Sequence, residues 1–174
     1  MGRIKKTFIL AVQISFHMKK HLQLTFGIVA ILGSFLVKAQ SVCLPVYSVY
    51  CNSSDYIDNF STTGGTTNIT NLGSGCNGVA PNNYVDNSST MIVSSSPGNT
   101  FNFTVQSGSA FSQGFRIWID YDNNNSFLDP GEDVWNSGFA STSAFTGTIT
   151  VPLTASGLVK MRVRCQYAGV PVDP

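Results

Sequence analysis

The stretch "VKMRVRCQY", Val159–Tyr167, alternates strictly. Val159, Met161, Val163, Cys165 and Tyr167 fall on one side of an extended chain, and Lys160, Arg162, Arg164 and Gln166 on the other. Period-two alternation is the signature of a β-strand with one face on a core and one face wet. Moving toward the N-terminus, the same pattern recurs. "FTGTITV" (145–151) sets Phe145, Gly147, Ile149 and Val151 against three threonines. "FRIWID" (115–120) sets Phe115, Ile117 and Ile119 against Arg116, Trp118 and Asp120. "TFNFTV" (100–105) places Phe101, Phe103 and Val105 together. Turn-forming clusters separate these runs: "SSSPGN" (94–99), "QSGSAFSQG" (106–114) and "PLTASG" (152–157). No segment repeats apolar residues at helical spacing. Short strands with Gly/Ser/Asn turns predict an all-β fold, an antiparallel β-sandwich of jelly-roll or immunoglobulin-like type. The polar text "YIDNFSTTGGTTNITNLGSG" (56–75) is expected to hold one or two edge strands around Thr67–Leu72.

Composition divides the chain near residue 39. Residues 1–39 carry Arg3, Lys5, Lys6, Lys19, Lys20 and Lys38, both histidines and no acid. From Met18 the order is a basic start, an apolar run Leu22–Val37 and a small-residue end at Val37-Lys38-Ala39. This is the layout of a secretory signal peptide cleaved between Ala39 and Gln40, with Met18 as an alternative start. The run is broken by Gln23, Thr25 and Ser34 and falls short of the roughly 20 apolar residues a membrane span needs. Residues 40–174 then form one domain, secreted or at the cell surface, with no stable membrane anchor. They hold all nine acids of the chain and only four cations, Arg116, Lys160, Arg162 and Arg164. An acidic domain of this kind is a poor partner for nucleic acid and a fair one for divalent cations.

All four cysteines, Cys43, Cys51, Cys76 and Cys165, lie beyond the cleavage point. An even count in an exported chain favours disulfides. Proximity favours Cys43–Cys51, which leaves Cys76–Cys165 as the second pair or a partner for one of them further downstream. A zinc site lacks CxxC spacing and any histidine after residue 39.

Five of the nine acids crowd into "IDYDNNNSFLDPGED" (119–133). Counting Asp120 as position 1, side-chain oxygens fall at Asp120, Asp122, Asn124 and Ser126, followed by Asp129, Glu132 and Asp133. Alternate oxygens followed by a later carboxylate are how EF-hand loops wrap Ca²⁺, a hard ion that takes 6–8 oxygen ligands. The loop departs from that pattern. Asn125 stands where an EF-hand has Gly, though Asn tolerates the left-handed turn, and no helix pair flanks it. Like charges crowded without a neutralising partner are unfavourable, so Ca²⁺ is the expected occupant, at the weak affinity of roughly 0.1–1 mM usual for extracellular sites. Trp118, Tyr121 and Trp135 border the loop and are candidates for stacking on a sugar ring, although strand aromatics more often pack across strands. Arg116, Arg162 and Arg164 are expected on wet strand faces.

The segments "SQGFRIWIDYDNNNSFLDPGEDVW", "TGTITVP…GLVKMRVRCQYAGVPVDP" and "CNSSDYIDNFSTTGGTTNITNLGSGCNG" together resemble the GEVED domain of secreted Bacteroidetes-type proteins. The resemblance spans most of Cys43–Pro174. It implies an all-β extracellular accessory module, found beside peptidases or adhesin-like domains in proteins exported by type IX secretion. The motif that names the family follows the point where this chain ends. By resemblance, then, the chain is a C-terminally truncated example, lacking a last strand and a cysteine and leaving a sheet edge exposed. The family's acidic loop falls on Asp120, Asp122, Asn124, Asp129 and Glu132.

Residues 40–174 contain no histidine, which removes Ser-His-Asp and Cys-His catalysis and His-ligated zinc. No Gly-rich loop leads into a helix to cradle a phosphate. Carboxylates crowded on one polar loop share a cation more often than they divide acid and base roles. The sequence therefore predicts a non-catalytic, calcium-stabilised module for adhesion or for service beside other extracellular domains. The alternatives are a carbohydrate-binding module and a fragment of a secreted hydrolase whose catalytic domain lies elsewhere. An extracellular protein or a glycan is the expected partner.

Overall fold

The computed structural model describes residues 3–11, 44, 51, 54–78 and 83–174. Most of the stretch read as a leader, and Cys43, lie outside the described residues. The strands in chain order are β1 (Arg3–Ala11), β2 (Ile57–Thr63), β3 (Thr70–Asn71), β4 (Thr100–Ser107), β5 (Gln113–Asp120), β6 (Asp133–Asn136), β7 (Phe145–Thr150) and β8 (Leu158–Tyr167). They form two antiparallel four-stranded sheets, ordered β1-β8-β5-β6 and β3-β2-β4-β7. No α-helix occurs among the described residues.

The alternation seen in the sequence builds the core. From one sheet come Phe60, Phe101, Phe103, Val105 and Ile149, and from the other Phe115, Ile117, Ile119, Val159, Met161, Val163 and Cys165, all buried in one apolar cluster. Aromatic edges lock the two sheets together. The Phe103 ring meets Trp135 at 4.8 Å and Phe115 meets Phe145 at 5.7 Å, both edge-to-face. Gly147 on β7 makes room for this contact, since a Cβ there would lie 2.5 Å from the Phe103 ring and 2.9 Å from the Trp135 indole nitrogen.

Two expectations are corrected. First, the edge strand expected around Thr67–Leu72 is present as β3, but Ile57–Thr63 before it is an inner strand between β3 and β4, with Ile57, Phe60 and Thr62 buried. Its Asp, Asn, Ser and Thr residues hide the alternation, and a register shift between Ile57 and Asn59 breaks it. Second, the outer face of the β5–β8 sheet is not wet. Arg162 and Arg164 are 0% and 1% exposed and Trp118 3%. The chain after β8 crosses this face. Arg164 donates to the backbone and side chain of Asp173, and Arg116 donates to the Pro171 carbonyl at 3.1 Å while pairing with Asp133. Phe127 covers Arg162, whose guanidinium sits 4.3 Å from the ring centre. β1, which pairs with the outer edge of β8 from Arg3 opposite Gln166 to Ala11 opposite Leu158, lies within the stretch read as a leader.

The disulfide also differs from the sequence expectation. It joins Cys51 to Cys76, with Cα atoms 5.2 Å apart, rather than Cys43 to Cys51 or Cys76 to Cys165. Cys165 is buried in the core on β8. Sequence distance misled here, because the chain between Cys51 and Cys76 runs out along β2 and returns through β3, bringing its ends together.

Two outcomes follow. Non-reducing peptide mapping should recover a Cys51–Cys76 cross-linked peptide, and replacing both by serine should cost about 3 kcal/mol, read by urea unfolding. Gly114 lies under the crossing tail, and a Cβ there would come within 2.2 Å of the Gly169 carbonyl oxygen. Gly114→Ala should therefore destabilise by roughly 1–3 kcal/mol through that clash, whereas Gly131→Ala has open space around it and would be strained only by its left-handed backbone, φ 90°.

Candidate functional site

The acidic loop runs from the end of β5 to the start of β6. Asp120 is the last residue of β5, paired in register with Lys160, and is fully buried. Its two carboxylate oxygens accept the backbone N–H groups of Asn124 at 3.1 Å and Asn125 at 3.0 Å. Asp122 accepts from the Asn124 backbone N–H at 3.0 Å and its side-chain amide at 3.1 Å. That amide also donates to Asp129 at 3.0 Å. Asn124 Oδ1 accepts from Ser126 N–H at 2.7 Å, and Ser126 Oγ accepts from Leu128 N–H at 3.1 Å. The turn needs left-handed backbone, and Asn123 and Asn125 supply it with φ of 58° and 66°. Asn125 thus stands in for the expected glycine, as its chemistry allows.

Two contacts fasten the loop to the sheet. Lys160 donates to Asn125 Oδ1, and Phe127 is buried over Arg162. The return leg is fixed by Ile119 N–H donating to the Glu132 carbonyl at 2.8 Å and by Tyr121 N–H donating to Glu132 Oε1 at 2.9 Å. A register shift between Ile117 and Trp118 lies where β6 meets β5; bulges of this kind often re-aim side chains beside a site.

The result is a convergence of acids. Carboxylate oxygens of Asp120, Asp122 and Glu132 lie within 4.8 Å of one another. Glu132 is only 3% exposed, and its Oε2 is buried without a hydrogen-bond partner. Burial raises the pKa of Asp120 above the ordinary carboxylate value, the Asn125 N–H opposes this and Asp122 adds to it. Burial likewise raises Glu132, against the Tyr121 N–H, with Asp120, Asp122 and Asp129 contributing repulsion. The Tyr121 hydroxyl is pushed up to about 12 by burial and by the nearby Glu132 charge.

Of the six residues expected to hold a cation, Asp120, Asp122 and Glu132 come together. Asp129 is linked to them through Asn124, while Asn124 and Ser126 use side-chain oxygens to hold the turn. The three aromatics separate. Trp118 is buried beneath Arg116, whose guanidinium lies 5.5 Å from its ring, so it offers no stacking surface. Trp135 packs on Phe103 and Phe145. Only Tyr121 faces a cleft, of about 630 Å³, that the acidic loop shares with Pro152, Thr154, Ala155 and Ser156. The sequence showed the turn after β7 but gave no sign that it would face the acidic loop. Lys160, Phe127 and Arg162 were also missed as supports, because their roles depend on β8 lying beside β5.

Comparison with known proteins adds one match. No curated protein and no solved structure matches the chain. A family model described as the GEVED domain matches residues 114–174, a stretch that runs from β5 through the acidic loop, β6, β7 and β8. The resemblance expected from the sequence is thus supported over the part of the chain where the candidate site lies.

Proposed function

We propose that this chain is a secreted, non-catalytic β-sandwich module that binds Ca²⁺ in the loop Asp120–Asp133 as part of its structure, and that it serves in adhesion or beside other extracellular domains. The leader-like pattern before Gln40 and the Cys51–Cys76 disulfide support export. The observation that carries the cation reading is Glu132. A carboxylate oxygen buried without a partner is costly, and this one belongs to a cluster with two further carboxylates. A divalent ion with oxygen preference would satisfy all three at once. Asp120, Asp122 and Glu132 would hold it, with Asp129 and Asn124 within the same loop. Ca²⁺ suits a flexible, oxygen-rich loop better than Mg²⁺, which demands a tight octahedron. An acid/base pair is the less favourable account, because three carboxylates crowd together here rather than two facing each other across a scissile bond.

Thermal melts of the full chain in CaCl₂, MgCl₂ and EDTA test the reading. At about 100-fold excess over its dissociation constant, a bound ion adds about 2.7 kcal/mol and should raise the melting temperature by about 10 °C. Asp122→Ala, at an exposed position, should abolish the calcium shift. Glu132→Gln should also abolish it while leaving the metal-free protein at least as stable, because it removes a buried, repelled charge. Superimposable melts in CaCl₂ and EDTA would sink the proposal.

A further inference from the structure

The cation loop forms one wall of the cleft of about 630 Å³, through Asp122, Asp129 and Glu132. That volume is in the range of small-ligand sites. Resting on the calcium reading above, we propose that this cleft binds a neutral sugar, with a vicinal pair of its hydroxyls completing the coordination of the bound ion.

Three observations lead there. Ca²⁺ takes 6–8 oxygens, and the loop directs part of its oxygen set elsewhere: Asn124 Oδ1 accepts from Ser126 N–H and Ser126 Oγ from Leu128 N–H. Coordination positions are thus left for an outside ligand, and the cleft is where such a ligand can approach. Charge then selects its class. Asp120, Asp122, Asp129 and Glu132 around one divalent ion leave the site negative, and the nearby Lys160 ammonium is engaged by Asn125. A carboxylate or phosphate ligand would be repelled, and hydroxyls would not. The opposite wall fits a polyol. Thr154 and Ser156 offer hydroxyls, and the Tyr121 ring and Pro152 offer apolar surface for the C–H face of a sugar. Leu128 and Leu153, 79% and 82% exposed, lie in the two segments that form the walls.

The test uses the full chain and saturation-transfer NMR with the methyl glycosides of mannose, fucose and galactose, in CaCl₂ and in EDTA. Binding of at least one glycoside in CaCl₂ and none in EDTA is expected. Ser156→Trp narrows the cleft from an exposed position on the wall opposite the acids. It should weaken sugar binding at least about tenfold while the calcium-dependent rise in melting temperature stays unchanged. A calcium shift with no glycoside bound would overturn the sugar inference and leave the metal site standing. Binding that persists in EDTA, or tighter binding of methyl galacturonate than of methyl galactoside, would overturn it as well. If calcium leaves the melt unmoved, both readings fall together.

Discussion

Asp120 and Glu132 are two carboxylates held out of water at the mouth of one strand pair, and the surrounding structure is arranged to tolerate them. Burying one charge costs several kcal/mol unless it is paired or hydrogen-bonded. Asp120 is compensated by two backbone N–H groups from the turn that follows it. Glu132 is compensated at one oxygen only. The turn must therefore hold its shape for Asp120 to stay buried, and the left-handed residues Asn123 and Asn125 are what shape it. The loop is in this sense an extension of β5, and its acids are positioned by the sheet.

That dependence reaches across the outer face of the sheet. Arg162 lies beneath Phe127, Lys160 reaches Asn125, and Arg164 and Arg116 gather the chain after β8 through Asp173 and Pro171. The few cations of the domain are nearly all used to bring irregular chain down onto β5 and β8. A row of arginines and a lysine is a flexible surface when exposed, but under a covering layer each head group finds a fixed partner. The same residues that a sequence reader takes for a solvated face are the ones that make the loop and the tail part of the fold.

Most of the core was legible because it rests on simple periodicity. Phe101, Phe103, Val105, Phe115, Ile117, Ile119, Val159, Met161 and Val163 all point inward as alternation requires. The acidic cluster was legible as well, since carboxylates spaced by asparagines need no long-range contact to be noticed. What was not legible depended on long-range geometry. Asp58, Asn59, Ser61, Thr62 and Thr63 gave β2 no apolar rhythm, although it sits inside a sheet. Cys51 pairs with Cys76 because a hairpin returns the chain, which spacing alone does not encode. Arg162 and Arg164 alternate like wet residues and are buried by irregular segments, Arg162 by Phe127 of the acidic loop and Arg164 by the tail after β8. Trp118, a candidate for stacking by position, lies under Arg116, its neighbour two residues back on β5.

The family match and the folding unit do not coincide, and the difference bears on where function is encoded. The matched segment begins at β5 and contains the loop, its supports on β8 and the opposite wall of the cleft. It includes only β7 from the second sheet. The side chains that fill the core opposite Phe115, Ile117 and Met161 come mainly from β2 and β4, which precede it. Residues 114–174 alone would expose one face of a sheet rich in Ile, Val, Phe and Met, a surface no soluble domain leaves open. The preceding region therefore supplies the half of the sandwich that keeps β5 and β8 flat and dry, and through them the arrangement of Asp120, Asp122 and Glu132. Within that region the residues that matter to it are Ile57, Phe60, Phe101, Phe103 and Val105, which keep the core filled, rather than the polar residues between them.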